Sequence, residues 1–487
     1  MEQDGTSPHS EGMQDETHAE TQDRVADVAV IGAGTAGLAA FRAAVAAGAR
    51  AVLIEAGSYG TTCARVGCMP SKLLIAAGDA AHHARHAAPF GVHATVTVDG
   101  AEVMARVRRE RDRFVGFVLE GVEQLPLAAK LRGRARFAAP GVLEVVGPSG
   151  AAHARVRARA VVVATGSSAV VPAMFEAIRD RLVINDDVFA WETLPASVAV
   201  FGGGVIGLEL GQALARLGVR VQVFGRGGTV GPLTDPQVRA SALEALGAEL
   251  RFQPDAHVRS VERVADGVRI AWEDAQGELR SETFEYALVA AGRRPNLQGL
   301  ELERVGVQLD PRGTPIHDRA TLRCGETSVF IAGDAGDDVP LLHEAADEGR
   351  IAGGNAARLP AVVAGHRRSL LAVTFTEPQL AVIGGSYEAL HRSGASEFVV
   401  GEVSFADQGR SRVMLQNRGL GRVYAARGSG RLLGAELAGP RAEHLAHLLA
   451  WAHQQHMTVA DMLKMPFYHP VVEEGLRTAL RDAASKL

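Results

Sequence analysis

The amino-acid sequence predicts an α/β protein in which a parallel-sheet module is interrupted by a second module of the same kind and then resumed. Three observations support this fold class. An apolar strand, a glycine-rich turn and a helical segment follow one another after residue 25 and again after residue 196. Each copy is closed by a further apolar strand, in residues 158–168 and 286–296. The chain has 487 residues, which suggests about three or four domains.

Composition and charge restrict the partners of the protein. Hydrophobic residues make up 47% of the chain and the formal net charge is −5, so there is no basic excess to bind nucleic acid or an anionic membrane. The sequence shows neither a secretory signal nor an uncharged apolar run of about 18 residues. We therefore expect a cytoplasmic protein that acts on small or protein-borne ligands. The first 24 residues are polar and acidic and are predicted to form a disordered tail.

The first strand–turn–helix unit carries a nucleotide-binding pattern. In "VADVAVIGAGTAGLAAFRAAVAAGARAVLIEA", Gly32, Gly34 and Gly37 form GxGxxG between strand and helix. Glycine at these positions lets backbone amides at the helix N-terminus approach a pyrophosphate. Glu55 ends the second strand, 21 residues after Gly34, where its carboxylate can accept hydrogen bonds from a ribose. The unit predicts a Rossmann-like three-layer dinucleotide-binding domain.

The second unit, "ASVAVFGGGVIGLELGQALARLGVRVQVFGR", repeats this pattern. Its glycines are Gly202, Gly204 and Gly207, and Gly225 stands where the first unit has its glutamate. A missing carboxylate removes the repulsion of a 2′-phosphate, and the adjacent Arg226 can pair with that phosphate. The sequence therefore predicts a second dinucleotide site that favours NADP(H).

The strands that close the two modules end in glycine turns. Thr165 and Gly166 follow the strand in "ARAVVVATGSS", and Gly292 follows the strand in "YALVAAGRRPN". The segment "SVFIAGDAG" predicts a return to the first module, with Asp334 placed to accept hydrogen bonds from a polyol chain. We expect these residues to contribute to the cofactor sites.

Two of the three cysteines stand close together in "TTCARVGCMPSKLL", at Cys63 and Cys68. In a reducing cytoplasm such a pair is typical of a catalytic, redox-sensing or metal-binding site. Cys324 has no nearby cysteine and is predicted to be structural. A zinc site would need further ligands. The nearest histidines are predicted to form a solvated helix face, and they are His82, His83 and His86.

Together these motifs resemble the class I pyridine nucleotide-disulfide oxidoreductases, most closely the dihydrolipoamide dehydrogenases, over nearly the whole chain after the first 24 residues. "YGTTCARVGCMPSK" is similar to the family's redox-disulfide motif, "GGTCLNVGCIPSK". The resemblance implies that the first glycine motif holds FAD and the second NAD(P)H, that Cys63 exchanges with substrate and that Cys68 lies beside the flavin. It also implies that Lys72 lies near flavin N5 with Glu209 as its partner. Pro70 is typical of a first helical turn, whose positive end would favour a Cys68 thiolate.

The segment "KMPFYHPVVEEGLRTAL" is similar to the family's "HPTxSE" motif. The resemblance implies that His469 is the catalytic base and that Glu474 orients it. Histidine suits this role because its usual pKa, near 6.5, lets it exchange protons around neutral pH. In the family this histidine reaches the disulfide of the other subunit, so the resemblance implies a homodimer. "LLAVTFTEPQLAVIGG" resembles the start of the family's dimerisation domain, so the resemblance also implies a C-terminal α+β domain.

The sequence departs from the family pattern in three respects. Thr61 replaces a glycine before the first cysteine, and Val471 and Glu473 replace the threonine and serine of the histidine motif. The third departure is the missing acid at Gly225, where typical dihydrolipoamide dehydrogenases have a glutamate. Both cysteines, the histidine and its glutamate are present, so we expect the departures to affect fine tuning more than the chemistry.

These inferences predict five segments and one main activity. The segments are a tail (1–24), an FAD-binding domain (25–170), an NAD(P)-binding domain (171–290), a central domain completing the FAD site (291–365) and a dimerisation domain (366–487). The predicted activity is that of a dihydrolipoyl dehydrogenase, with a small dithiol, a disulfide or a lipoyl domain as substrate. The alternatives are an NADPH-dependent disulfide reductase of the glutathione-reductase type and a non-catalytic flavin redox sensor or scaffold. Mercuric reductase and soluble transhydrogenase are disfavoured, because the former adds a C-terminal cysteine pair and the latter lacks the redox pair.

Overall fold

Strand β1 (Gln22–Ile31) is the first element of the computed structural model, which describes residues 22–274, 276–394 and 397–487. It begins inside the predicted tail. The prediction of a disordered tail is therefore wrong for residues 22–24. Their backbone pairs with that of a later strand, in a register that runs from Gln22 opposite Ala154 to Val25 opposite Arg157. This pairing gives the backbone N–H and C=O groups hydrogen-bond partners, whether the side chains are polar or apolar. The remainder of the predicted tail, residues 1–21, lies outside the described residues.

The first module is built on a mixed sheet. After β1 come α1 (Thr35–Ala46), β2 (Ala51–Glu55), α2 (Thr62–Val66), α3 (Cys68–Arg85), α4 (Gly100–Glu123), β3 (Lys130–Arg132), β4 (Arg134–Ala139), β5 (Val142–Val146) and β6 (Ala152–Val163). The strand order is β3-β2-β1-β6-β5-β4, with β3, β2, β1 and β6 parallel and β5 and β4 added as an antiparallel edge. The apolar runs of β1 and β6 are almost fully buried, as expected for parallel strands covered on both faces.

The second module has the same strand–turn–helix organisation. After β7 (Ser167–Ala169) come β8 (Leu182–Val183), α5 (Asn185–Val188), β9 (Ser197–Phe201), α6 (Val205–Arg216), β10 (Arg220–Phe224), α7 (Pro236–Gly247), β11 (Phe252–Gln253), β12 (His257–Val264), β13 (Gly267–Glu273), β14 (Leu279–Phe284) and β15 (Tyr286–Val289). The order β11-β10-β9-β15-β8 forms a parallel sheet, and β12, β13 and β14 form a separate antiparallel sheet.

The chain then returns to the first module. Strand β16 (Arg293–Pro295) pairs with β7, and β17 (Val329–Ile331) joins β6 in parallel. Helix α8 (Leu342–Arg358) packs along α1. This return confirms that the second module is inserted in the first.

The C-terminal domain is α+β, as the sequence predicts. Its elements are β18 (Leu371–Thr374), β19 (Gln379–Gly384), α9 (Tyr387–Arg392), β20 (Phe398–Ser404), α10 (Gly409–Val413), β21 (Leu420–Ala426), β22 (Leu432–Gly439), α11 (Ala442–Gln454), α12 (Val459–Leu463) and α13 (Glu474–Ala484). The strands form an antiparallel sheet in the order β18-β19-β22-β21-β20, against which α11 and α13 pack. In the part of the chain that the structure describes, no helix is long and apolar enough to cross a membrane.

Candidate active site

The two cysteines of the predicted redox pair meet at a helix N-terminus. Cys63 lies on the short helix α2, and Cys68 is the first residue of α3, directly after Gly67. Both are free thiols; Cys63 is half-buried and Cys68 is exposed. The first amides of α3 have no intrahelical acceptor, so this end of the helix carries partial positive charge. The structure thus places Cys68 where a thiolate is favoured.

Thr61, one of the departures from the family pattern, has the left-handed backbone conformation that favours glycine, with φ at 56°. A β-branched residue is strained there. The Thr61 hydroxyl accepts a hydrogen bond from the backbone N–H of Ala64 at 3.3 Å and caps α2. The threonine therefore keeps the turn that leads to Cys63 and adds a cap that glycine cannot provide.

The two thiols differ in acidity. A hydrogen bond from the Cys63 thiol, together with the charge of Lys72, lowers the pKa of Cys68 to about 7 against the opposing effect of desolvation by neighbouring groups. The same hydrogen bond, together with burial, raises the pKa of Cys63 far above its usual range. Near neutral pH the pair therefore holds one thiolate, at Cys68, and one thiol, at Cys63.

Lys72 follows Cys68 by one helical turn, so both side chains lie on the same face of α3. The Lys72 ammonium nitrogen lies 2.7 Å from Glu209 Oε2 on α6, the helix of the second glycine motif. The same ammonium group lies 4.5 Å from the ring centre of Phe375. The backbone N–H of Phe375 donates to the other oxygen of Glu209 at 2.9 Å. A buried carboxylate and an aromatic ring thus hold the lysine from two sides.

The predicted acid–base pair is formed at the C-terminal end. His469 Nδ1 lies 3.0 Å from Glu474 Oε2. An ionised carboxylate only accepts hydrogen bonds, so Nδ1 carries the proton and Nε2 is left as the base. The His469 side chain is 82% exposed, and no hydrogen bond joins it to a cysteine in the described residues. The His469 ring therefore faces solvent rather than the described cysteines of its own chain.

The first glycine motif has the geometry of a dinucleotide site. Gly34 precedes α1 without a side-chain cap, and a Cβ at this position would meet only open space. Gly32 has a positive φ of 103°, and a Cβ there would collide with the Ala164 carbonyl. A Cβ at Gly37 would likewise collide with the Gly32 carbonyl. The helix N-terminus therefore stays open to a phosphate.

Glu55 and Asp334 retain acceptor capacity around this motif. The two carboxylate oxygens of Glu55 accept the backbone N–H groups of Ala33 and Gly57, each at 2.6 Å, and each oxygen has a second lone pair for a ribose hydroxyl. Asp334 Oδ2 accepts the hydroxyl of Ser167 at 2.6 Å, and its other oxygen takes no hydrogen bond from the described residues. Both acids fit their predicted roles.

Unpartnered polar atoms test whether FAD fits this region. The hydroxyl of Thr165, the hydroxyl of Tyr59 and Nε2 of His343 are buried and have no hydrogen-bond partner in the described residues. Thr165 follows β6, and His343 lies in the first turn of α8. Gly166 has a positive φ of 68°, and a Cβ at this position would meet open space. Buried polar groups normally have partners, so these atoms fit a site that a polar cofactor completes.

The second glycine motif repeats the first. Gly204 precedes α6 without a side-chain cap and faces open space, while a Cβ at Gly202 would collide with the Ala290 carbonyl. A Cβ at Gly207 would collide with the Gly202 carbonyl. Gly292, after β15, has a positive φ of 112° and also faces open space.

The missing acid of the second motif has a steric cause. A Cβ at Gly225 would lie 2.5 Å from the carbonyl oxygen of Pro254, so a glutamate cannot be placed there without moving the backbone. Arg226 is exposed, and in the described residues no hydrogen bond or ion pair engages its guanidinium. The next N–H, that of Gly227, donates to Asp255 Oδ1 at 2.7 Å and fixes the turn. Arg226 is thus available to a ligand.

The prediction of a solvated histidine face is wrong for His82. Its Nδ1 lies 3.2 Å from Glu249 and its side chain is 19% exposed, because α3 packs against α6 at this point. His83 lies 3.6 Å from Glu377, and His86 is exposed. In the described residues no cluster of three metal-ligating side chains could hold a metal ion. Cys324 is buried in the core, as predicted.

A buried arginine joins three modules behind the active site. Arg216 on α6 is 3% exposed, and its guanidinium lies 2.6 Å from Asp79 on α3, 2.5 Å from Glu249 and 2.9 Å from Glu377. Burial opposes ionisation of Glu249, but hydrogen bonds from His82 and Arg216 outweigh it and lower its pKa to about 2. Sequence reasoning missed this cluster, since its members are far apart in the chain. It also missed the contact of Phe375, although this residue lies in the segment that resembles the start of the dimerisation domain.

Comparison with known proteins gives one consistent family. Residues 26–349 match the family described as "Pyridine nucleotide-disulphide oxidoreductase", and residues 371–480 match its dimerisation domain. A dihydrolipoyl dehydrogenase of Halobacterium salinarum is 32% identical over 464 residues, with 94% of this chain and 96% of the relative covered. A mercuric reductase of Shigella flexneri is 33% identical over 465 residues, with 93% and 80% covered.

Solved structures share the fold. The crystal structure of LpdA from Mycobacterium tuberculosis has a TM-score of 0.79 and 24% sequence identity, and the match covers 95% of this chain and 99% of that one.

Proposed function

The chain belongs to the pyridine nucleotide-disulphide oxidoreductase family, and from this premise we propose that it is a dihydrolipoyl dehydrogenase. Electrons would pass from a dihydrolipoyl group through the Cys63–Cys68 pair and FAD to a nicotinamide coenzyme. The relatives that match over nearly their whole length include proteins named dihydrolipoyl dehydrogenase. This name supports the choice of substrate.

The placement of the two thiols is the observation that carries the proposal: Cys68 begins α3 one turn before Lys72, and Cys63 on α2 lies within hydrogen-bonding reach of Cys68. Cys68 has a pKa of about 7, and the pKa of Cys63 is raised well above its usual range. A reduced pair of this kind has one thiol for exchange with substrate and one thiolate for electron transfer. Two cysteines that only stabilise the fold do not require one thiol and one thiolate.

Residues of the first module would hold FAD. They are Gly32, Gly34, Gly37, Glu55, Thr165, Gly166 and Asp334. When bound, FAD supplies the two-electron chemistry that links thiols to nicotinamide. We assign residues 25–170 and 291–365 to this site, 171–290 to the nicotinamide coenzyme and 366–487 to dimerisation.

We propose the following order for the thiol steps. His469 Nε2 takes the proton of one substrate thiol, and the resulting thiolate attacks Cys63 Sγ in the oxidised pair. The Cys63–Cys68 bond breaks, and Cys68 leaves as a thiolate that the α3 N-terminus and Lys72 stabilise. The second substrate sulfur then displaces Cys63, and the product is a cyclic disulfide. One proton ends on Cys63 and the other on His469, and two electrons have entered the pair.

His469 would act on the thiol pair of a second subunit. It is exposed on the dimerisation domain and its own subunit offers it no thiol partner in the described residues. Glu474 holds the imidazole so that Nε2 points away from α13. A homodimer would therefore form two complete sites.

An NADPH-dependent disulfide reductase is the second candidate. The packing of Gly225 against Pro254 excludes a ribose-binding acid, and Arg226 is free to meet a 2′-phosphate. With NADPH as donor the same thiol steps would run in reverse. These two residues support NADP(H) as the coenzyme.

Anaerobic titration of the purified holoenzyme tests the proposal. We expect dihydrolipoamide to reduce the Cys63–Cys68 pair and so to change the flavin absorbance spectrum, followed in a stopped-flow instrument, and reduced glutathione to leave the spectrum unchanged. Reduction by NADPH followed by reoxidation with oxidised glutathione, but not lipoamide, would favour the second candidate. Flavin that responds to neither dithiols nor disulfides would contradict both.

A further inference from the structure

We propose that Arg477 is a positioning residue for the acid–base pair and sets the pH at which His469 can act. This inference rests on the proposed function, because it assigns His469 as the base. Arg477 lies on α13, three residues after Glu474.

The Glu474 carboxylate is shared between two partners. Its Oε2 accepts His469 Nδ1 at 3.0 Å and the backbone N–H of Val471 at 3.4 Å. Its Oε1 accepts Arg477 Nη2 at 3.1 Å. The guanidinium also lies over the ring of Phe467, 5.7 Å from its centre. The ring, the guanidinium, the carboxylate and the imidazole thus form one continuous chain of contacts.

Two physical effects follow from this arrangement. The guanidinium fixes the rotation of the carboxylate, and the carboxylate in turn fixes the imidazole ring. The positive charge also offsets part of the carboxylate charge, so the imidazolium gains less from Glu474 than it would beside an unpaired glutamate. Without Arg477, His469 would stay protonated to higher pH and would be unavailable as a base.

The other charged groups near His469 and Glu474 either pair with one another or have no ion pair in the described residues. Helix α12 packs against α13, and Asp461 Oδ1 on α12 lies 3.2 Å from Nζ of Lys464, the residue directly after this helix. Glu473 precedes α13 and has no ion pair in the described residues. Glu474 itself stays ionised: burial opposes this, but the hydrogen bond from His469 and the charges of His469 and Arg477 outweigh it and lower its pKa.

The pH dependence of two quantities tests the inference on holoenzyme. One is kcat/KM for dihydrolipoamide, and the other is the rate at which diethyl pyrocarbonate modifies His469, followed by peptide mass spectrometry. In Arg477→Gln we expect the midpoints of both to rise by about 0.5 pH unit, the size of one charge interaction across a partly exposed carboxylate. Arg477→Lys keeps the positive charge and should return both midpoints most of the way to their wild-type values.

Two further variants make the test decisive. Arg481→Gln removes an exposed charge one turn further along α13 and should leave both midpoints unchanged. Phe467→Leu removes the ring beneath the guanidinium and should give a smaller shift in the same direction. Equal midpoints in Arg477→Gln and wild type, or a fall, would overturn the inference. If wild type turned over no dithiol, the proposed function would fail, and the modification midpoints would still decide the role of Arg477.

Discussion

Lys72 Nζ on α3 and Glu209 Oε2 on α6 are 2.7 Å apart, and this ion pair joins the helix that carries Cys68 to the helix of the second glycine motif. Glu209 is 4% exposed. The pair therefore connects the thiol site to the nucleotide module through a contact that solvent screens little.

Replacing Lys72 should make Cys68 a weaker acid. The pKa of Cys68 is about 7, because Cys63 donates a hydrogen bond and Lys72 adds a positive charge. The thiolate is therefore present above this pH and is lost below it. In Lys72→Met we expect the pKa to rise by about 1 unit. The alkylation rate of Cys68 by iodoacetamide, measured against pH in the reduced enzyme, reports the change, with Lys486→Met as a surface control. An unmoved midpoint would contradict the role of Lys72.

Cys63→Ser should abolish turnover of dihydrolipoamide while the flavin remains reducible by NADPH. A serine hydroxyl cannot form the mixed disulfide, but the nucleotide sites are untouched. Steady-state assays and anaerobic reduction by NADPH measure the two properties. Cys324→Ala, in the buried core, is the matched control and should keep turnover. Substantial dithiol activity in Cys63→Ser would show that the assignment is wrong.

Arg226→Glu should shift coenzyme preference towards NAD(H). A carboxylate at this exposed position repels a 2′-phosphate, and loss of the guanidinium removes its partner. We expect the ratio of KM for NADH to KM for NADPH to fall about tenfold or more, the equivalent of one lost charge-assisted hydrogen bond. Arg179→Glu, on an exposed residue before β8 at the opposite edge of the sheet, should leave the ratio unchanged. A constant ratio in both variants would remove Arg226 from coenzyme recognition.

Arg216→Met should destabilise the protein by about 2–4 kcal/mol, because it removes a buried guanidinium from three partly exposed carboxylates, and solvent screening reduces the loss below that of a fully buried ion pair. Those carboxylates belong to Asp79, Glu249 and Glu377. Glu249 has a folded pKa of about 2, below its unfolded value of about 4.3. Its stabilising contribution is present above the unfolded pKa and is lost as pH falls towards 2. Urea denaturation at several pH values should therefore show the largest deficit near neutral pH. A deficit as small as that of Arg179→Met would argue that the cluster contributes little.

Much of the fold follows from local pattern. GxGxxG between an apolar strand and a helix requires backbone contacts at Gly32 and Gly202 that only glycine permits, and this predicts both nucleotide modules. The thiol pair and the His469–Glu474 pair are also marked by spacing along the chain. Positions of this kind are predictable because the interacting residues are neighbours in sequence.

The remainder depends on tertiary packing. Phe375 meets Lys72 only because the C-terminal domain packs against α6. His82 has the sequence context of a surface histidine, yet it faces Glu249 from another module. The ordered start of β1 at Gln22 depends on pairing with a strand more than a hundred residues away. Contacts between distant segments leave no local signature.

The cluster around Arg216 has a consequence for the evolution and engineering of the chain. Its carboxylates come from three modules, and the arginine that satisfies them comes from the inserted one. Suppose that the inserted module were exchanged for that of a relative with another coenzyme preference. Asp79 and Glu377 would then lose their arginine partner unless the new module also had an arginine at the position of Arg216. Recombination should therefore succeed only between parents that share this residue, whereas point changes around Arg226 remain open to selection.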